Sequence, residues 1–177
     1  MLDVEKLAKE YGFDEVALVS ADMVETSAEF AALCTPEACE HYGTCWTCPP
    51  GAGTFEEIQP NIKSKRAGVI VQTIRDNIDY FEDLEELAET RNLHHSRLDR
   101  LAADMRAELD GVLEFSTGGC DLCSPCTYPD APCNKPVERR LALSAHGVAV
   151  NATCENAGLD YAFQNGRIRF IGLIMYD

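Results

Sequence analysis

No stretch of the 177 residues comes near the eighteen consecutive apolar residues of a membrane-crossing helix. Basic residues are scarce as well. Fifteen Lys and Arg stand against thirty Asp and Glu, a net charge of −15. Nucleic acid and anionic membrane surfaces are both bound through positive charge, so neither is expected as a partner. A phosphate-cradling glycine loop, a G-x-S-x-G elbow, an H-E-x-x-H helix and a dinucleotide fingerprint are also missing. A hydrolase or nicotinamide enzyme is therefore unsupported, and whether the chain is an enzyme at all stays open. The opening MLDVEKLAKEYGF mixes acids and bases and has no apolar signal core, which sets the expectation of a cytoplasmic protein.

What the chain does have is cysteine, nine in all. In a reducing compartment, cysteines clustered at fixed spacings read as metal-binding or catalytic, and an odd number cannot pair completely. Eight fall into two clusters. The second is GGCDLCSPCTYPDAPCNKP, residues 118–136, with Cys120, Cys123, Cys126 and Cys133 separated by two, two and six positions. Three cysteines at equal short intervals can wrap one face of a four-iron cubane while a later one takes the last corner. The run is similar to the bacterial ferredoxin ligand pattern, with a longer final gap and with Pro136 three residues beyond Cys133. Gly118 and Gly119 would let backbone N–H groups approach the sulfides. Zinc is the alternative, because four thiolates also suit a tetrahedral structural ion.

The first cluster, Cys34, Cys39, Cys45 and Cys48, has gaps of four, five and two and leaves its chain through Pro49-Pro50. Four and four fit two metal centres, or one centre drawing on both segments. Trp46 would shield a cluster or anchor the loop. Cys154, alone in NATCENAG, reads as a small buried hydrophobe.

The rest reads as one domain over residues 1–177. Helices are expected over 2–11, through EFAALC after a Ser27 or Thr26 cap, and from Thr54, where Glu57 completes a capping-box pattern and Pro60 bends the chain. A long helix should span roughly 80–110, with a break near Arg91-Asn92 because His94 and His95 interrupt its apolar stripe. Those histidines, or His41, would otherwise face a metal. Strands are expected at 14–20, 67–74, GVLEFS and RIRFIGLIM. Another helix should follow Pro136 to Gly147, and DYAF should pair with the last strand as a hairpin around Asn165-Gly166. The expected fold is α/β or α+β: a small central sheet flanked by helices, a C-terminal hairpin and two cysteine-rich loops.

Three segments together carry a resemblance: Cys39-x2-Tyr42-Gly43-x2-Trp46-x-Cys48-Pro49-Pro50, Gly119-Cys120-x2-Cys123-x2-Cys126-x6-Cys133-x2-Pro136, and Gly147-Val148-x-Val150. In this order they resemble a prokaryotic family of predicted metal-binding proteins, domain of unknown function 2284. The resemblance implies a small cytoplasmic cysteine-rich protein that holds iron–sulfur, with no settled reaction. Arg140 matches the family, whereas Cys45, before the tryptophan, departs from its pattern. The sequence thus points to one or two [4Fe-4S] clusters serving electron transfer with a redox partner protein. That partner would be basic if it docks on the acidic run 76–89. The other readings are a zinc-stabilised interaction module and an iron–sulfur enzyme with an open iron.

Overall fold

The computed structural model describes residues 2–177. Its elements in order are α1 (Val4–Glu10), β1 (Glu15–Ser20), α2 (Ala28–Ala31), α3 (Phe55–Ile58), α4 (Pro60–Lys63), β2 (Ala67–Asp76), α5 (Leu84–Glu108), β3 (Leu113–Ser116), β4 (Leu141–Ala142), α6 (Val150–Asn156) and β5 (Arg167–Tyr176). The fold is the mixed α/β arrangement expected, with a five-stranded sheet in the order β1-β2-β5-β3-β4.

Two ten-residue strands hold the sheet together. β2 and β5 pair antiparallel from Ala67 opposite Tyr176 to Asp76 opposite Arg167. Their β-branched runs are apolar at consecutive positions because both faces of the sheet are covered. Alternation decides the sides. Val69, Val71 and Ile174 pack with Leu98, Leu101 and Met105 of α5 and with Val4 and Ala8 of α1. Ile70, Ile171, Leu173 and Met175 join Phe115, Ile62 and Cys154 on the opposite side. Cys154 is fully buried and Gln72 donates to its sulfur at 3.6 Å, so it is the packed hydrophobe expected.

Local signals place the short helices. Ser27 accepts from the Glu29 N–H at the start of α2 (3.1 Å). Glu57 accepts from the Thr54 N–H (2.8 Å), closing the capping box before α3. Pro60 begins α4 as its first residue, where a missing N–H costs nothing.

Three expectations need correction. α5 is unbroken through Arg91-Asn92, and its stripe runs over His94 and His95, both buried, while Leu84 is exposed. His94 is tolerated inside because its Nδ1 bonds the Thr73 hydroxyl at 2.9 Å. Burial holds its imidazole down at about 3, so it stays neutral. The segment after Pro136 is not a helix: Leu141 and Ala142 form β4, parallel to Phe115 and Ser116 of β3, with turns on either side. DYAF is not a strand either. The turn before β5 carries one isolated bridge, Gln164 with Arg167, and β2 takes the pairing edge of β5.

Glu114 of β3 lies under α5 at 1% exposure, 3.2 Å from Arg106. Burial, and then a hydrogen bond to the Asp99 carboxyl, push it up to about 8 from an ordinary 4.5. The native state therefore keeps a proton that the unfolded chain releases above 4.5. The stabilisation is complete below that value and is lost as pH rises through about 8. Glu114→Gln, which keeps the protonated shape, should gain melting temperature relative to the wild type as pH is raised across this window. A pH-independent difference would contradict the assignment. Leu98, with no exposed surface and packed beneath Gly172, should cost about 2–5 kcal/mol on truncation to Ala in denaturant titrations.

Candidate metal centre

The two cysteine segments occupy loops that the fold places side by side. The first lies between α2 and α3. The second is the connection from β3 to β4, which are neighbours in the sheet, so the loop leaves and returns at one edge. Cys45 and Cys48 are buried and pack on Ile58 of α3 and on Ala142 and Ala145, with Cys126 from the other loop against them.

Three contacts join the loops. The Thr47 hydroxyl accepts from the Cys120 N–H (3.2 Å) and sits 3.4 Å from the Cys45 sulfur. The Trp46 indole N–H donates to the Ala131 carbonyl (3.1 Å), and its ring meets Tyr128 edge-on with centroids 5.0 Å apart. Trp46 thus fastens one loop to the other. Gly51 makes the third contact: a Cβ there would stand 2.7 Å from the Tyr128 ring and 2.8 Å from the Cys45 carbonyl oxygen. Only a residue without a side chain permits that approach.

Cys120, Cys123, Cys126 and Cys133 line one cleft, as their spacing suggested. In the first loop, Cys45 and Cys48 pack together, and the charges of Cys39 and Cys34 add a smaller upward push on Cys48. All nine cysteines are free. Among the described residues, no three His, Cys, Asp or Glu side chains gather around a point as one bound ion requires.

One sulfur, Cys45, is prepared for negative charge. The Cys48 thiol donates to Cys45, and with the Thr47 hydroxyl and the Thr47 and Cys120 N–H groups it brings Cys45 down to about 4 against the opposing effect of burial. Cys48 moves up, first because it keeps that proton and then because it is buried beside an anion. The two opposite directions describe one proton held between Cys45 and Cys48. Burial raises Cys120, opposed by the Leu122 and Arg140 N–H groups and by the Arg140 charge. Backbone N–H groups aimed at sulfur are the surroundings that stabilise thiolates and anionic clusters.

Arg140 underlies the second loop at 3% exposure. Its guanidinium bonds both carboxylate oxygens of Asp99 on α5 (2.9 and 3.1 Å) and pairs with Asp121 between Cys120 and Cys123. His95, one helical turn before Asp99, lies 3.5 Å from Asp121. Neither of its ring nitrogens has a hydrogen-bond partner. Burial first, and the Arg140 charge second, lower His95 to about 4. His41 stacks on the loop, with its ring 3.1 Å from where a Gly119 Cβ would be. Sequence reasoning missed Thr47, Asp99 and Asp121. Only Asp121, lying inside the cysteine run, carried a signal.

Arg140→Met should leave both carboxylates without their shared cation. The expected loss is about 3 kcal/mol, at the low end for a buried pair because Asp99 and Asp121 both keep contact with water. Arg140→Lys should lose less. Chemical denaturation of both variants checks the order, and equal losses would mean that packing rather than charge sets the effect.

No helix among the described residues is long and apolar enough to cross a membrane. Searches of curated proteins and of solved structures found no match. A family model does match, over residues 17–176, and both cysteine loops with the sheet between them fall inside it. The chain belongs to the family of predicted metal-binding proteins, domain of unknown function 2284.

Proposed function

We propose that the two loops hold iron–sulfur clusters of the four-iron type and that the chain carries electrons in the cytoplasm. Cys120, Cys123, Cys126 and Cys133 would ligate one, and Cys34, Cys39, Cys45 and Cys48 the other. The observation that carries this reading is the convergence of four free thiols on one cleft, against a second four-cysteine loop whose sulfurs receive backbone N–H groups. Zinc would draw four sulfurs to about 2.3 Å around one ion. Nine unpaired cysteines are consistent with a reducing compartment.

When bound, such a cluster supplies one-electron chemistry at a potential set by its surroundings. The protein's own part is to seat the thiolates, to direct N–H groups at them, and to keep Arg140 beside Cys120. Cys45 and Cys120 lie close enough to influence each other's charge, so the two centres would be neighbours. Glu82, Glu85, Glu86 and Glu89 stand exposed together and suit a basic redox partner.

Protein purified without oxygen should be brown and contain acid-labile sulfide with about eight irons per chain, or about four if one loop alone is filled. Zinc without sulfide would overturn the proposal and make the loops a structural staple. Electron exchange with a basic carrier protein, followed by stopped flow, should slow steeply with added salt. A salt-independent rate would remove the acidic face from the argument.

A further inference from the structure

A cavity of about 450 Å³ lies between the turn that enters α5 and the turn that precedes β5, and it shares no residue with the metal centre. Tyr80, Phe81, Tyr161 and Phe163 line it. Phe81 is 82% and Phe163 85% exposed, the two most exposed large apolar side chains among the described residues. Single apolar residues at a surface are ordinary, whereas aromatic rings gathered around one hollow mark a place where something binds. Side chains tie both turns. The Asp79 carboxylate accepts from the Phe81 and Glu82 N–H groups (2.8 and 3.1 Å), and Asp160 accepts from the Ala162 N–H (2.9 Å). The backbone that carries the rings is thus set in advance, which lowers the ordering cost of binding.

Charge around the cavity selects the occupant. Its two cations are spent, Arg167 on Asp76 and Arg169 on Asp160 (2.7 Å). The neighbouring acids are not. Among the described residues, Asp79, Glu82, Asp83, Glu85, Glu86 and Glu89 join no ion pair. Glu82 follows Phe81 directly in the chain, and Leu84 stands exposed among these acids. We propose that the cavity and its acidic border dock a basic polypeptide segment. One aromatic or large aliphatic side chain of the segment enters among the four rings, and its flanking lysines or arginines meet the glutamates. An apolar anchor then supplies the affinity, and the charges at the rim steer the approach. A second copy of this chain does not suit the place, because at a net charge of −15 it would bring acid against acid. An anionic membrane is repelled in the same way. That the docked protein is a redox partner rests on the electron-carrier reading above; the docking itself rests on the cavity and its charge.

The test uses full-length protein purified without oxygen, with iron and sulfide measured on the same sample. The probe is a fluorescein-labelled heptapeptide with three lysines on either side of one phenylalanine, followed by anisotropy in about 0.1 M chloride. Two control peptides carry alanine at the centre, or glutamates in place of the lysines. Saturable binding of the probe is expected, about tenfold or more weaker with the central alanine and lost with the glutamates. Phe81→Ser and Phe163→Ser should each weaken it about fivefold or more, and Phe30→Ser, on α2 outside the cavity, should not. Both cavity phenylalanines are exposed, so these variants should fold. No saturable binding, equal binding of the alanine peptide, or binding indifferent to Phe81 and Phe163 would overturn the proposal. So would sedimentation equilibrium showing that the chain dimerises through these two residues, or its flotation through them with phosphatidylserine vesicles. Cluster-loaded protein that ignores the probe would sink this inference alone. Protein without iron or sulfide that still binds through Phe81 would sink the cluster reading and leave the docking site standing.

Discussion

A guanidinium keeps its charge inside a protein, so at 3% exposure Arg140 needs partners, and it finds them on two different pieces of chain. Asp99 comes from the long helix and Asp121 from between two cysteines of the second loop. The charge therefore works as a tie. It fixes the register of a sulfur-rich loop, which has no regular structure of its own, against the longest helix of the fold. The main chain at Arg140 also turns its N–H toward the Cys120 sulfur, so one residue positions the loop and eases negative charge on it. The neighbouring β4 begins at Leu141, and its two residues of parallel pairing keep Arg140 in place.

The first loop depends on the second. Thr47 has a single hydroxyl, spent on the Cys120 N–H and the Cys45 sulfur. Trp46 and Gly51 each make sense only with Tyr128 and Ala131 opposite them. Burying thiols raises the cost of ionising them, and the donors around Cys45 reverse that cost. The pair Cys45 and Cys48 shares one proton between two sulfurs.

The sheet was largely legible because its signals are local. AGVIVQTI, residues 67–74, read as a strand without help, and the structure carries it on to Asp76; Thr54 with Glu57 announced a helix start that the structure confirms. Legibility failed where a distant group changed the meaning of a residue. His94 and His95 looked like an interruption of an apolar face, because nothing in the sequence shows Thr73 waiting for one and Asp121 lying beside the other. VERRLALSAHG has helical spacing, but β3 supplies a strand edge that captures Leu141 and Ala142 instead. DYAF next to Asn165-Gly166 had the form of a hairpin, yet β2 makes ten pairs with β5 and prevails over a short local partner.

Cysteine spacing alone determined that the chain has two sulfur-rich loops, and their order with Trp46 and the glycines carried the family. Unbroken apolar runs determined which strands could be buried on both faces, since successive side chains along a strand point to opposite sides. Tertiary structure alone decided that the loops share a wall, that Arg140 lies beneath one of them, and that His95 is buried 3.5 Å from Asp121. These are relations between residues far apart in the chain, 73 positions in the case of Thr47 and Cys120. They are set by which charges and donors must be satisfied once the sheet has buried its faces, and no local pattern encodes them.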